Sequence, residues 1–455
     1  MLLVRGQDNG FGVIVAVNLQ NGHVLWRHAL DLPSPQAVEE GNPFQPLLQG
    51  GIVLVPENYA NQQGDHAFGE LVALDPATGQ ERWTYTTAPT TADLVTELDS
   101  EPVAANGVVY LTANEHSASA PLPPPQDQSL PTLLVQAVDS HTGSLLWSRT
   151  LSGFDSSPDV ADGNVILLGN RGLVALRTTD GSLAWTFTPA GPYSYTAVDD
   201  GGPPNETYAV GDGYPGPVII NHLVLVDAIA VGAGGQGLGA TWFAVSTSTG
   251  KLVWQSARSV LGGGYTRPVL NQSGDVLCTS GTSVEASSYV LGLAASTGET
   301  LWNHSTTSEL SLCAASGNTF YLSERNVQGT AGGLLAFDSR TGNPLWQTAT
   351  ARPGGASGVA APPQDDGLAA MPAEGPTASG TYLLTNPVVV IQLSSGRVIW
   401  QQDLFIDPTR PILVVDHEVL IPEDSLDPSN PSVQLVAYSL QAGSRNWTLP
   451  LVSRH

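Results

Sequence analysis

Residues 73–83 read Ala73-Leu74-Asp75-Pro76-Ala77-Thr78-Gly79-Gln80-Glu81-Arg82-Trp83, and copies of this stretch recur along the whole chain. A glycine stands four residues before a tryptophan at Gly22/Trp26, Gly79/Trp83, Gly143/Trp147, Gly181/Trp185, Gly250/Trp254, Gly298/Trp302, Gly342/Trp346, Gly396/Trp400 and Gly443/Trp447. Nine of the ten tryptophans are used in this way, and only Trp242 lies outside the pattern. Six residues before each glycine stands Ala16, Ala73, Ala137, Ala175, Ala244, Gly292, Ala336, Val390 or Ala437. A small position, a turn position and a large flat position therefore recur in fixed register.

The spacing has a physical reading. Apolar or alternating runs precede each glycine, as in Leu133-Leu134-Val135-Gln136-Ala137-Val138, and a short run ending in Trp follows it. Two such runs around a Gly-containing loop indicate a β-hairpin. Asp75, Asp139 and Asp338 are placed to bond neighbouring backbone N–H groups and close the turn. The glycine supplies the positive-φ position at little steric cost. The small residue leaves a recess, which a Trp from an adjacent hairpin is expected to fill. One hairpin is marginal alone in water, so nine need neighbours, and a repeat architecture provides them.

A period of ~50 residues with several strands each argues for one array rather than separate domains. With 49 Gly and 34 Pro scattered along 455 residues and no long stretch of 3.6-residue periodicity, helical repeats are excluded. Two strand candidates precede most hairpins, such as Phe44–Leu48 with Ile52–Pro56 and Pro102–Ala105 with Val108–Thr112. Each unit is thus four antiparallel strands, A to D, with the Trp on D. The first unit lacks an A strand, and nothing after Leu449–Val452 obviously supplies one. Upstream sequence, the natural place for a leader or anchor, is therefore expected to be missing. Irregular closure by the terminal strands is the alternative.

Net charge is −25, from 41 acidic and 16 basic residues. This weighs against nucleic acid and anionic membrane, which need a cationic surface. It favours a cationic partner. No run of 18 apolar residues predicts a transmembrane segment. Cys278 and Cys313 form no CxxC, and either pair in an oxidising compartment or stay as buried thiols.

The motif resembles the repeat of pyrroloquinoline-quinone (PQQ)-type β-propellers, Ala-x-Asp-x-x-Thr-Gly-x-x-x-Trp. Ala73, Asp75, Thr78, Gly79 and Trp83 match it, as do Ala137, Asp139, Thr142, Gly143 and Trp147, and Ala336, Asp338, Thr341, Gly342 and Trp346. The resemblance covers essentially the whole chain and implies an all-β fold, a single β-propeller of four-stranded antiparallel blades. Eight blades are usual in the family. Residues 1–455 are therefore expected as one domain, with 1–30 a partial first blade and 31–455 eight blades; a nine-bladed ring is the alternative. The resemblance implies that Trp26, Trp83, Trp147, Trp185, Trp254, Trp302, Trp346, Trp400 and Trp447 pack between blades. It also implies an extracytoplasmic, bacterial-type periplasmic or surface protein.

The A–B and C–D turns are tight, while long connections fall at B–C and D–A, on the other face. They include Glu57–Gly69, Ala88–Glu101, Ala113–Pro131, Pro189–Gly216 and Thr350–Ser379. Loops on a rigid scaffold carry recognition. Asp93, Glu97, Asp99, Asp199, Asp200, Asp365 and Asp366 place an acidic binding face there. Trp242, outside the register, is the freer candidate for binding, against strand packing as the plainer reading. Specific chemistry is thin. Gly232–Gly237 formally matches GxGxxG but precedes a strand, Trp242–Ser246, where phosphate binding needs a helix N-terminus. Asp199, Asp200, Asn205, Glu206 and Asp212 offer oxygens for calcium without EF-hand spacing.

The resulting expectation is a non-catalytic, monomeric propeller scaffold without cofactor, binding a protein or small ligand through its acidic loop face. It resembles the propellers of outer-membrane assembly lipoproteins and of anchored bacterial surface proteins. The alternative is a PQQ- and calcium-dependent quinoprotein dehydrogenase acting on alcohols or sugars. Many alcohol-oxidising members set an adjacent cysteine pair against the quinone, and Cys278 and Cys313 are not adjacent.

Overall fold

The structure, a computed structural model, describes residues 1–8, 11–30, 37–39, 44–61, 67–87, 94–117, 132–152, 157–169, 172–190, 217–231, 237–257, 261–263, 268–283, 288–306, 309–325, 332–350, 368–372, 386–404, 412–415, 417–424, 433–450 and 452–453. Among these residues every regular element is a strand. Unit four gives the plainest pattern: Asp159–Ala161, Asn164–Gly169, Gly172–Arg177 and Leu183–Phe187 form one antiparallel sheet in that order. Units five, seven and nine repeat it. The A–B turns are two-residue hairpins of positive φ, at Asn106/Gly107, Asp162/Gly163 and Asn221/His222. This mirror-image turn matches the twist of the flanking strands.

All nine motif hairpins form, and each pairs its small residue directly with its own Trp: Ala16 with Trp26, Ala73 with Trp83, and so on to Ala437 with Trp447. In each, a β-bulge follows the small residue at once. The bulge increases local twist and re-aims the indole. At Gly292 a Cβ would lie 2.1 Å from Trp302 Cε2, which accounts for glycine where seven units carry Ala. The expected recess is thus placed differently from the sequence reading. The small residue sits under its own Trp, and the neighbour's Trp rests on the turn glycine.

That glycine has φ between 66° and 70° in all nine copies. A Cβ there would lie 2.3–2.9 Å from the indole of the preceding unit. Trp26 covers Gly79, Trp83 covers Gly143, and the series runs through Trp400 on Gly443. Each indole also donates Nε1–H to the carbonyl three residues before the covered glycine, as from Trp83 to Ser140 at 2.9 Å and from Trp254 to Ala295 at 2.9 Å. Trp447 closes the series, lying over Gly22 and donating to the Leu19 carbonyl at 3.1 Å. Burying an aromatic of this size contributes on the order of 4–6 kcal/mol by apolar area. The apolar clusters follow the seams, for example Ile14, Ala16, Trp26 and Val53 between units one and two.

A second contact reinforces some seams. Two residues past the Trp, Arg149 donates Nε–H to Gly181 O at 3.0 Å, His304 Nε2 meets Gly342 O, and Gln402 Nε2 donates to Gly443 O. Cys278, wholly buried in the seam between units six and seven, is disulfide-bonded, and the chain's only other cysteine is Cys313.

Unit one contains Leu2–Asp8, Phe11–Val17 and Val24–Ala29. Against the expectation that nothing near the C-terminus joins it, Val452–Ser453 pairs in parallel with Gln7 and Asp8. Two residue pairs make too short a strand for composition to announce.

Candidate functional site

Three units carry lengthened B–C hairpins: units two and three, and unit five, where Leu223–Val231 pairs with Gly237–Ser246. The B strands of units two and three, Ile52–Asn61 and Val108–Ser117, are 10 residues long, against 6 for Asn164–Gly169 in unit four. Four extra residues extend a strand by roughly 13 Å. Of the expected loops Glu57–Gly69 and Ala113–Pro131, residues 57–61, 67–69 and 113–117 are paired strand, and the remainder lies outside the described residues. The connection expected at Ala88–Glu101 likewise contains a strand, Leu94–Leu98. It pairs antiparallel with Val108–Ser117 and meets the C strand of unit two in parallel, Phe68 opposite Thr96. Units two and three thus share one ten-stranded sheet.

The crossing depends on Gly69. A Cβ there would lie 2.7 Å from Leu98 Cγ and 2.8 Å from Leu98 N. Asn58, 3% exposed, clamps the crossing strand by donating to Leu98 O at 2.9 Å and accepting from Leu98 N at 2.8 Å. Thr87 and Thr96 are buried, and each hydroxyl reaches the other's carbonyl, at 3.1 and 3.2 Å. Ser100 and Thr112 share a hydroxyl contact of 2.7 Å. A surface held by this many internal bonds is preformed, which lowers the ordering cost of binding.

Carboxylates gather on this wall. Glu97 and Asp99, expected in a loop, instead lie on and just beyond the crossing strand, Glu97 opposite Asn114. Both are half-buried, and Asn114 donates to Asp99 Oδ1. Glu57, with its side chain 1% exposed, receives Arg5 of unit one at 2.5 Å. Glu57 also stands opposite Glu70 in the strand pairing. Burial pushes the Glu70 carboxyl above its usual range, with the bond from Thr86 opposing and the charge of Glu81 adding to the rise.

Of the other expected face residues, Asp93, Asp199, Asp200, Asp365 and Asp366 lie outside the described residues, as do Asn205, Glu206 and Asp212 and most of the Gly-rich stretch before Gly237. Trp242 is on no exposed face. It is 1% exposed, opposite Asp227, packed with Val218, Leu225 and Trp254. It stands two residues before the small position Ala244, where other units carry Ile14, Leu71 or Val135. Strand packing, the plainer of the two sequence readings, describes it.

Among the described residues no cluster of three or more His, Cys, Asp or Glu is arranged to hold a metal ion. The quinone-stacking cysteine pair of alcohol-oxidising relatives has no counterpart at Cys278, which is wholly buried in a seam. The residues present do not fit that role.

Successive antiparallel sheets, each joined to the next by a turn-docked indole, define a β-propeller. Its solved structural neighbours include a eukaryotic initiation factor, at TM-score 0.54 and 11% identity, covering 93% of this chain and 89% of that one. The family model of the outer membrane protein assembly factor BamB matches residues 1–125, 132–210 and 227–449, and the chain belongs to that family. Weaker structural similarity extends to BamB from Moraxella catarrhalis, with TM-score 0.39, 16% identity and coverage of 80% and 100%. A europium-containing methanol dehydrogenase is similar at TM-score 0.47 and 15% identity, with coverage of 88% and 82%. A search of curated proteins finds no match. No helix among the described residues is long and apolar enough to cross a membrane.

Proposed function

We propose that the protein is a non-catalytic scaffold that binds a partner protein through the raised acidic wall of units two and three. The observation that carries this reading is the crossing strand Leu94–Leu98, which converts a connection into a braced sheet presenting Glu97 and Asp99. Membership in a family described by an assembly factor supports it. A chain of net charge −25 selects a partner segment that is basic. The bonded state of Cys278 supports an extracytoplasmic location, since disulfides persist in oxidising compartments. The ring is one of nine units with unit one a full member, rather than eight beside a remnant; the Trp447–Gly22 docking supports this count.

The test is site-specific photocrosslinking in the native host. A crosslinker at Glu97 is expected to capture a defined protein. One at Arg82, on the tight-turn face, is not. Loss of the capture when Glu97 and Asp99 are both changed to Lys completes the expected result. Capture at Arg82 alone would overturn the assignment of the face. Retention of quinone absorbance after desalting from PQQ and calcium, with dye reduction by an alcohol, would overturn the non-catalytic reading.

A further inference from the structure

Besides Asn430-Pro431-Ser432, which its middle Pro rules out, the chain contains four Asn-x-Ser/Thr triplets: Asn205-Glu206-Thr207, Asn271-Gln272-Ser273, Asn303-His304-Ser305 and Asn446-Trp447-Thr448. None has Pro in the middle, so each is an acceptor for an N-linked glycan by sequence. Asn205 lies outside the described residues. The other three differ sharply in what the fold asks of their amides.

Asn271 is 2% exposed. Its Nδ2 donates to Asp275 Oδ1 at 2.8 Å and to Ser339 Oγ at 3.0 Å, and its Oδ1 accepts from the N–H groups of Asp275 and Val276, both at 3.1 Å. A sugar on that nitrogen would break the tie from unit six to unit seven and has no space. Asn446 donates to Glu418 Oε1 at 2.9 Å, while the other Glu418 oxygen accepts from Trp447 Nε1 at 2.9 Å. Its amide is thus part of the closing seam. Asn303 is exposed and makes no hydrogen bond from its side chain to a described residue. It lies on Thr300–Thr306, the outermost strand of its sheet, one residue past Trp302 and so on the side away from the seam that Trp302 fills. Ser305, the hydroxyl of the triplet, is exposed too.

We propose that Asn303 is a site of N-linked glycosylation and that Asn271 is not. This rests on the extracytoplasmic reading, because the buried disulfide of Cys278 and the glycan arise in the same oxidising, secretory environment. The donor is a lipid-pyrophosphate-linked oligosaccharide. A bond forms between its anomeric carbon and Asn303 Nδ2. The bond from that carbon to the pyrophosphate oxygen breaks, the lipid pyrophosphate leaves with the electron pair, and the amide gives up one proton. Nothing is oxidised or reduced. The sugar would stand beside Leu301, which is 45% exposed, and over an unpaired strand edge. A bulky hydrophilic group there blocks edge-to-edge pairing between copies.

The test uses the full chain behind a secretory leader in a glycosylating eukaryotic cell. The secreted protein is treated with peptide N-glycosidase in heavy-oxygen water and its peptides are read by mass spectrometry. Labelled Asp is expected at position 303 and not at 271. Asn303→Gln and Ser305→Ala are each expected to abolish that label while the protein is still secreted. A secreted chain unmodified at Asn303, or one modified at Asn271, overturns the proposal. Native protein unmodified at Asn303 also overturns the proposal, whereas only native protein in which Cys278 is a free thiol overturns the extracytoplasmic reading, so the two failures are distinguishable.

Discussion

The indole of Trp447 covers Gly22, 425 positions away in the chain, with its Nε1–H on the Leu19 carbonyl at 3.1 Å. This contact has the geometry of the eight others, so the first hairpin takes the same load as the rest. Gly22 has φ +69° and its added Cβ would lie 2.5 Å from Trp447. Gly22→Ala is expected to cost at least about 1–2 kcal/mol from the backbone alone, and more from the displaced ring. Gly51→Ala provides the control, since φ is +79° there but nothing lies within 4 Å. Urea unfolding midpoints should fall further for Gly22→Ala than for Gly51→Ala. Equal midpoints would place unit one outside the ring.

Arg5 tests the same membership by charge. Its partner Glu57 belongs to unit two and is buried. Removing one member of a buried pair leaves the other charge uncompensated, at about 3–5 kcal/mol. Arg5→Ala should destabilise by that order, and Arg5→Ala with Glu57→Gln should recover part of it. A double-mutant cycle in thermal unfolding reads this coupling; an additive result would contradict the pair.

The fold was legible because one constraint repeats. Gly–Trp spacing records a turn of positive φ and a large ring, and both are needed in every seam. What the ring touches was not legible. Spacing inside a hairpin carries no information about the next hairpin, so it points to the small residue rather than the glycine as the recess. Leu94-Val95-Thr96-Glu97-Leu98 alternates as a strand does, yet four strands per unit place it in a connection. Trp242 had a signal in its register, two residues before Ala244, a position that is apolar in the other units. Rarity of an exception drew attention to it, but a core position can be filled by any large apolar side chain.

Gly69 makes the crossing strand possible, so its substitution should act locally. Gly69→Val places atoms where Leu98 already lies. Hydrogen exchange at residues 94–98 is expected to accelerate strongly while units four to nine keep their protection. Partner capture at position 97 should be lost in parallel. Unchanged protection of 94–98 would mean that the glycine is incidental.

Acid should weaken the hairpins through their turn aspartates. The Arg82 guanidinium, together with N–H groups of Ala77 and Thr78, holds Asp75 down to about 2. Asp139 and Asp338 are lowered too, the first mainly by the Thr142 N–H and the second by the Thr341 hydroxyl. A depressed carboxylate stabilises the fold above its unfolded value of about 3.9 and stops doing so as pH falls through the folded value. Stability should therefore drop between pH ~4 and ~2. The triple Asp→Asn variant should show a shallower acid limb in thermal melts, and an unaltered limb would remove these turns from the account.

Trp242 separates packing from recognition. At 1% exposure among Val218, Leu225 and Trp254, it has no surface to offer a partner. Trp242→Ala opens a cavity and is expected to cost about 3–5 kcal/mol, whereas Trp242→Phe, which leaves a smaller void, should cost less. Under conditions where both variants remain folded, each should bind the partner with wild-type affinity, because units two and three carry the wall. Loss of binding in folded Trp242→Phe would place the recognition surface at unit five and displace the wall from that role.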